Sequence, residues 1–391
     1  MPENKPERIA AVVVTYNRKQ LLGECVDSLL RQTHPLDALY IIDNCSTDGT
    51  CEFLTEKGLI SPPGWASSRI LEIGPVQAAQ AGGIVKAEGL GDGEWANHRQ
   101  AALDDATQSS RTWGEAPECG GNQPVETVCR RIRNSQSAIR NCDTSAIEVH
   151  YVRLPENAGG AGGFAEGMQR AAGAGFDWLW LMDDDLLALP DALAALVQKK
   201  ASLEASRHGP FVLNSLVLAR GQPDSDMLAF PLREISAGGY PKMGHFHWRL
   251  SEVLDKVSDG LYEWICPFNG TFVPARAVEA VGLPNREMFI HGEEKEYQCR
   301  LAGTFRLYTV VDSRVFHPQP KKCQFDWKQY YNIRNMFVVN SYFNLTALRD
   351  FKLIVVSLAW GARHGTWGMK LMLRAIRDGL AGRLGKRDDL P

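Results

Sequence analysis

The chain has 391 residues, 44% of them hydrophobic, which is enough to bury a large core in one elaborated domain or two. Its formal net charge of -3 gives no general attraction to nucleic acid, so we expect no nucleic-acid partner. The nine cysteines have no Cys-x-x-Cys spacing, which excludes the usual zinc and dithiol motifs and predicts reduced thiols. A polar N-terminal segment and the lack of a run of roughly 20 apolar residues predict a cytoplasmic protein without signal peptide or membrane span.

Apolar runs alternate with helical patterns along much of the chain. The runs predicted as strands are residues 9–14, 39–42, 149–152 and 178–182, and the segments predicted as helices are residues 19–32 and 164–174. Strands that alternate with helices predict an α/β fold, with a mostly parallel, Rossmann-like sheet flanked by helices. Because ligands of such sheets bind beyond the carboxyl ends of the strands, polar residues that follow the strands are expected to meet in one crevice.

The alternation breaks down between residues 74 and 142, where Gly, Gln, Asn, Ser and charged residues dominate. Short helical patterns occur there at residues 96–106 and 125–139. We predict that residues 74–142 are an insertion of low order in a crossover connection. The insertion would belong to a first domain that spans residues 1–340.

An apolar run at residues 176–182 ends in three consecutive carboxylates, Asp183, Asp184 and Asp185. Because residues two apart in an extended segment project to the same side, Asp183 and Asp185 can face one divalent cation while Asp184 points away. Mg²⁺ or Mn²⁺ held by few carboxylates keeps coordination positions for the phosphates of a nucleotide diphosphate. The alternative for the same acids is a solvated turn or the cap of the following helix.

A second acidic cluster, Glu293, Glu294 and Glu296, lies at a predicted loop-to-helix junction. Acids in a first helical turn are favoured by the helix dipole, and this is the structural explanation. The functional explanation is that one carboxylate acts as a general base and removes a proton from an acceptor hydroxyl. His317, which ends an apolar run, is either a surface residue or a third ligand of a manganese-like ion.

The glycine-rich sequence NAGGAGGF at residues 157–164 has a competing interpretation. Its glycines follow a strand, open a helix and precede Asp183 by about twenty residues, as in a dinucleotide-binding fingerprint. An NAD(P)-dependent oxidoreductase is therefore an alternative. That alternative leaves Asp184, Asp185 and residues 15–18 without a role.

Taken in order, several segments resemble the inverting GT-A glycosyltransferases of family 2. They are residues 12–18, 42–50, 157–164, 183–185 and 292–294, together with His317. The glycine-rich loop and the triple Asp are most similar to bacterial galactofuranosyltransferases, with rhamnosyltransferases next, and residues 330–335 resemble a late segment of both branches. The resemblance extends over about residues 8–340, apart from the insertion.

The resemblance implies a GT-A fold and an inverting transfer of a sugar in cell-envelope polysaccharide synthesis. The first expectation is galactofuranose from UDP-galactofuranose, delivered to a glycan or a polyprenyl-linked acceptor; the alternative is rhamnose from dTDP-rhamnose. The donor residues that it implies are Thr15 and Arg18 in the nucleotide pocket, Asp43 at the base, Asn157 near the ribose or phosphates, and Asp183.

The resemblance also implies that Asp183 and Asp185 hold Mn²⁺ or Mg²⁺, with His317 as a further ligand. Glu294 stands where the family usually has a catalytic Asp. Since the longer side chain displaces the carboxylate, Glu293 is the alternative base. A non-catalytic sugar-nucleotide-binding module is a further alternative, although it would not need this second acid pair.

Residues 341–391 form a predicted C-terminal amphipathic helical region. Residues 351–360 are apolar but too short to span a bilayer, and Trp367 and Leu371 then alternate with Lys370 and Arg374. Helices of this composition suit an anionic membrane surface, so we expect peripheral attachment at the inner face of the cell membrane. The alternative is that the apolar face packs on the first domain and the basic face is solvated.

Overall fold

The computed structural model describes residues 6–61, 70–71, 125–133, 146–206, 209–221, 226–235, 241–318 and 324–390. Residues 74–142, the predicted insertion, lie outside these ranges except for residues 125–133, so the order of the insertion stays a prediction. The helical pattern at residues 96–106 lies outside them as well.

The strands of the described residues are β1 Ile9–Thr15, β2 Ala38–Asp43, β3 Ile70–Leu71, β4 Val125–Arg133, β5 Ala146–Arg153, β6 Trp178–Asp183, β7 Leu187–Ala188, β8 Phe211–Ala219, β9 Met227–Ile235, β10 Pro241–Arg249, β11 Leu261–Tyr262, β12 Asn269–Pro274 and β13 Arg306–His317. The α-helices are α1 Lys19–Leu30, α2 Thr50–Glu56, α3 Gly159–Gly173, α4 Ala192–Ala205, α5 Arg276–Val281, α6 Glu293–Ala302, α7 Lys328–Asn340, α8 Thr346–Arg363 and α9 Gly365–Leu380.

One sheet runs in the order β10-β9-β8-β12-β6-β1-β2-β5-β4-β3. Its central strands β6, β1, β2 and β5 are parallel neighbours, whereas β12 and β4 flank them in antiparallel pairing. The prediction of an α/β fold with a mainly parallel centre is confirmed. The antiparallel extension through β12, β8, β9 and β10 had no counterpart in the sequence analysis.

The helical pattern proposed for residues 125–139 is wrong for Val125–Arg133, which form the strand β4. This strand pairs antiparallel with β5. The backbone groups of β4 bond to those of β5, so sheet pairing overrides the helical pattern of this segment.

Strand β1 is buried along its whole length because helices cover both faces of the sheet. Ala11 and Val13 belong to a hydrophobic cluster that includes residues of α1, whereas Val12 and Val14 belong to a second cluster that includes Phe164 of α3. The alternation of side chains along a strand thus divides one apolar run between two cores.

The register of the central strands brings polar residues to one edge of the sheet. Thr15 pairs with Asp43 across β1 and β2, and Val14 pairs with Asp183 across β1 and β6. The carboxyl ends of these strands therefore place Thr15, Asp43 and Asp183 side by side, as expected from the sequence.

The predicted C-terminal helices are present as α8 and α9. Helix α9 buries Leu371, Met372 and Ile376 in a cluster with Tyr330 and Tyr331 of α7. The apolar face of α9 therefore packs on α7, while peripheral membrane attachment and the domain boundary near residue 340 stay predictions. Among the described helices, none combines the length and apolar character that a bilayer span requires.

Two glycines four residues apart let α3 approach β1 closely. A Cβ atom on Gly163 would lie 2.5 Å from Val14 Cγ1, and one on Gly167 would lie 2.3 Å from Val12 Cγ1. Both valines are buried, so neither side chain can move aside without displacing its neighbours.

We predict that Gly167→Ala lowers the free energy of unfolding by roughly 1–3 kcal/mol, because overpacking outweighs the gain in helix propensity. Gly173→Ala, in the same helix, is the matched control, since a Cβ there would meet no atom within 4 Å. Urea unfolding of both variants measures the difference. Equal stability of the two variants would contradict the proposed close approach.

Candidate active site

The three carboxylates at the end of β6 have different surroundings. Asp184 is 2% exposed, and its carboxylate accepts hydrogen bonds from Thr15 Oγ1 at 2.7 Å and Arg18 Nη1 at 3.2 Å. Arg18 Nη1 also donates to Asp185 Oδ2 at 2.9 Å. Arg18 therefore bridges Asp184 and Asp185, and Thr15 is a second hydrogen-bond partner of Asp184.

Burial makes negative charge costly at this strand end. Desolvation raises the pKa of Asp184 to about 6 and outweighs the opposing effects of Arg18 and Thr15. Desolvation, followed by the charges of Asp185 and Asp184, also raises the pKa of Asp183 above its ordinary value. A bound cation would relieve this repulsion.

Asp185 and His317 face each other across the edge of the sheet. Asp185 Oδ1 is buried and has no hydrogen-bond donor, and His317 Nε2 lies 3.4 Å from it. The other ring nitrogen, Nδ1, lies 2.6 Å from the carbonyl oxygen of Pro318, which favours a proton on Nδ1. In that tautomer, Nε2 and Asp185 Oδ1 present two lone-pair donors to the same space.

This pair fits a divalent cation that keeps some coordination positions open for substrate. A carboxylate and a neutral imidazole are ordinary ligands of Mn²⁺, and Mg²⁺ commonly uses one or two carboxylates plus substrate phosphates. Across the described ranges, no three His, Cys, Asp or Glu side chains form a complete metal-binding group. Asp183 as a third protein ligand therefore stays a prediction.

The second acidic cluster lies at the start of α6. Glu293 is 9% exposed and its Oε2 has no hydrogen-bond donor, whereas Glu294 Oε2 accepts from the backbone N–H of Gly292 at 2.8 Å. Burial, and then the charge of Glu294, raises the pKa of Glu293 well above its usual value. Glu293 therefore favours its protonated form, and Glu294 is the better hydrogen-bonded and more exposed carboxylate of the two.

The two acid clusters act on each other electrostatically. The charge of Glu294 contributes to the raised pKa of Asp183. Partial burial, followed by the charges of Glu294 and Asp183, raises the pKa of the Cys266 thiol to about 12. Cys266, which the sequence analysis did not single out, lies near the end of β6, since its Sγ is 3.7 Å from Nδ2 of Asn269, which pairs with Met182 of β6. Because its local sequence carries no motif, only the fold shows this position.

The loop before Glu293 is held from behind by helix α7. Asn335 Nδ2 lies within hydrogen-bonding distance of the carbonyl oxygens of Met288 at 2.9 Å, Ile290 at 3.1 Å and His291 at 2.7 Å. The fully buried Arg334 donates to Met288 O at 3.0 Å. The sequence analysis noted residues 330–335 by resemblance alone. An Arg-Asn pair among the large apolar side chains of residues 330–339 is the signal that suggests such a role.

The glycine-rich segment brings α3 onto this same loop. The helix begins at Gly159, five residues before the predicted start at residue 164. Asn157 Oδ1 accepts from Gly159 N at 2.9 Å. Gly159 has φ +70°, and a Cβ atom there would lie 2.1 Å from Phe289 O.

The next residues continue the contact. A Cβ atom on Gly160 would lie 3.0 Å from Glu293 Oε1, and Ala161 N donates to Phe289 O at 3.1 Å. The protein's own loop therefore covers the first turn of α3, where a dinucleotide pyrophosphate would sit. The glycines are explained by this close packing, which removes the main argument for the oxidoreductase.

Asp43 is fully buried beside Thr15. Its Oδ1 accepts from Ser46 N at 2.8 Å, and the hydroxyl of Tyr151 donates to its Oδ2. Tyr151 on β5 was not among the predicted site residues, since it looked like a strand residue of the core. The contacts of Asp43, Thr15, Arg18 and Asn157 with a donor stay predictions.

Comparison with known families places this site in a class. Residues 10–60 and 133–206 match the family model described as glycosyl transferase family 2. The matched segments contain Thr15, Arg18, Asp43, Asn157 and the carboxylates that end β6. These two segments of the chain thus match a family 2 glycosyltransferase domain, which confirms the resemblance stated from the motifs.

Within that class, the chain is similar to the galactofuranosyltransferase GlfT1. It is 34% identical over 176 residues to the protein of Mycobacterium tuberculosis, which covers 44% of this chain and 53% of the relative. It is also 34% identical over 175 residues to that of Mycolicibacterium smegmatis, covering 43% and 53%. The matched part of the chain spans about half the length of these curated relatives.

Solved structures resemble the chain more distantly. The Staphylococcus aureus TarS 1–349 complex with UDP-GlcNAc has 11% identity and a TM-score of 0.44, covering 95% of this chain and 80% of that one. GalNAc-T7 with UDP, GalNAc and Mn²⁺ has 14% identity and a TM-score of 0.49, covering 96% and 55%. At these values the likeness carries no conclusion about the ligands of this chain.

The raised pKa of Glu293 predicts a pH-dependent effect of Glu293→Gln. A carboxyl whose pKa is higher in the folded state stabilises the fold below its unfolded pKa, and this contribution is lost as the pH rises through the folded pKa. The neutral amide does not ionise. We therefore expect the variant to match the parent near pH ~4 and to become progressively more stable than it above that pH.

Chemical unfolding from acidic to slightly alkaline pH measures this difference. Glu287→Gln is the control, because Glu287 lies in the same loop with an exposed side chain. A stability difference between Glu293→Gln and the parent that did not change with pH would refute the proposed protonated state.

Proposed function

We propose that the protein is a metal-dependent inverting glycosyltransferase that transfers galactofuranose from UDP-galactofuranose to a glycan or lipid-linked acceptor of the cell envelope. The family 2 domain and the similarity to GlfT1 support the reaction class and the sugar. The observation that supports the mechanism is the presence of one acid cluster at the end of β6 and another in the first turn of α6. One cluster offers lone pairs to a cation, and the other offers a carboxylate to an acceptor.

Asp185 and His317 would hold the cation, since Asp185 Oδ1 lacks a donor and His317 Nε2 lies 3.4 Å from it. Mn²⁺ or Mg²⁺ at this position supplies charge stabilisation for the departing diphosphate. Arg18 keeps Asp185 in place through its second oxygen. Thr15, Arg18, Asp43, Asn157 and Asp183 are the residues that we propose around the donor.

Glu294 is the proposed general base. Its carboxylate takes the proton of the acceptor hydroxyl while the acceptor oxygen bonds to the anomeric carbon and the bond from that carbon to the diphosphate breaks. Entry opposite to the leaving group inverts the configuration. Glu293 is less suited to accept this proton, because burial and the charge of Glu294 favour its protonated form. Gly292 N orients Glu294 by a hydrogen bond of 2.8 Å.

Release of the nucleotide diphosphate from a panel of donors tests the proposal. The panel comprises UDP-galactofuranose, UDP-galactopyranose, dTDP-rhamnose and UDP-glucose, each with Mn²⁺ and a lipid extract. We expect fastest release from UDP-galactofuranose, abolished by EDTA and lowered roughly 100-fold or more in Asp185→Ala, because a metal contributes several kcal/mol to the transition state. Asp191→Ala, an exposed acid without a capping bond, is the control. If release were fastest from dTDP-rhamnose, the transferred sugar would be rhamnose and not galactofuranose.

Replacing the proposed base should separate chemistry from binding. We expect Glu294→Gln to lower turnover by roughly 100-fold to 10,000-fold, with little change in the affinity for UDP and Mn²⁺ measured by calorimetry. Glu293→Gln should retain more activity than Glu294→Gln. If Glu293→Gln is the more damaging change, the base is Glu293.

A further inference from the structure

Helix α8 leaves most of its apolar side chains in solvent. Within this fully described helix, Ser357 and Gly361 are the buried residues. The large apolar side chains on and just before the helix that are exposed are Leu345 at 72%, Leu348 at 61%, Phe351 at 63%, Val355 at 48% and Val356 at 54%. We call this set the α8 face. On the other side of the helix, Leu353, Ile354 and Leu358 are partly buried against the cluster of α7 and α9. The α8 face is thus a second apolar side that the described part of the chain leaves exposed, and such a surface marks an interaction site.

The corner between α8 and α9 adds aromatic rings to this face. Phe325 stacks on His364 with ring centroids 4.0 Å apart and contacts Trp360 and Trp367 edge-on at 5.0 Å and 5.6 Å. Trp367 is 53% exposed. Tryptophan at the rim of an apolar surface is typical of residues that lie at a membrane–water interface.

Positive charge accompanies the apolar side chains. Residues 346–377 contain six basic residues and one acidic residue. The acidic residue, Asp350, accepts a hydrogen bond from Asn340 Nδ2 at 2.8 Å. Lys352 and Arg363 are exposed on α8 itself. On α9, a groove of ≈ 490 Å³ is lined by Lys370, Leu373, Arg374, Arg377, Arg387 and Asp389.

We infer that the α8 face and Trp367 dock on the surface of an anionic lipid bilayer. Apolar side chains of this size enter the boundary between headgroups and acyl chains, and the basic residues beside them are attracted by anionic headgroups. Charge complementarity favours a bilayer over a second copy of the chain, because pairing this face with itself would place Lys352 and Arg363 of both copies in one interface, where like charges repel.

The docking surface lies beside the proposed acceptor side of the active site, a point that rests on the proposed function. Phe325, in the α8–α9 corner, and Leu353, on α8, pack in the same hydrophobic cluster as Phe289 and Ile290 of the loop before Glu293. A bilayer at the corner would present a lipid-linked acceptor next to the base.

Vesicle cosedimentation of the full chain tests the inference. Vesicles of phosphatidylcholine alone are compared with vesicles of phosphatidylcholine and phosphatidylglycerol. We expect the parent to bind the anionic vesicles, with affinity falling as salt rises. The double variant Leu348→Glu/Phe351→Glu should bind on the order of tenfold or more weakly. Leu254→Glu is the matched control, because Leu254 is 55% exposed outside the α8 face and should bind like the parent.

Thermal unfolding checks that each variant is folded, and Lys352→Glu/Arg363→Glu serves as a second variant that alters charge without touching apolar side chains. Absence of vesicle binding by the parent, equal binding to both vesicle types, or unchanged binding by both double variants would overturn the inference. The inference would also be overturned if the parent were a dimer in size-exclusion chromatography and Leu348→Glu/Phe351→Glu were a monomer. Nucleotide release without vesicles should be unchanged in these variants, so failed docking and a failed enzymatic proposal give different results.

Discussion

Electrostatic repulsion among the carboxylates that end β6 is the constraint on which the site depends. Three acids follow one another at the end of a buried strand, where water can solvate them poorly. Arg18 and Thr15 satisfy part of this charge, and they do so by engaging Asp184 and the second oxygen of Asp185. The remaining oxygen of Asp185 is left facing His317. The location proposed for a cation is therefore set by which acid oxygens the protein has already neutralised.

In the second cluster, at the start of α6, negative charge is also costly, but there a proton on Glu293 relieves it. Glu293 is buried against the first turn of α3, where Gly160 allows its carboxyl group to approach the backbone. Burial favours the protonated acid at this position, and its neighbour Glu294 stays toward solvent with a backbone N–H to orient it. Two adjacent glutamates thereby acquire different chemical properties from their surroundings alone.

The sequence predicted those parts of the fold that local patterns encode. β1, β2 and β6 are continuous apolar runs because both faces of the sheet are covered, and the polar residues behind them meet since parallel strands end at one edge. β8 and β12 pair with strands far along the chain, and these pairings are not encoded in any local pattern. The glycine-rich segment could be interpreted in two ways, because close helix packing and a dinucleotide loop both require residues without a side chain. Similarly, the position of Cys266 follows from the fold alone.

The contacts of Arg334 connect two parts of the chain that differ in composition. Its guanidinium donates to Met288 O in the loop before the acidic helix and to Gly385 O beyond α9, while Gly385 N donates to Glu287 O. Tyr330, one turn earlier, donates to the buried Asp378 of α9. Helix α9 is consequently tied to α7 and to the acidic loop, and it is no detachable anchor. Mechanical load or ligand contact at α9 would be transmitted through α7 to the loop that carries the acids.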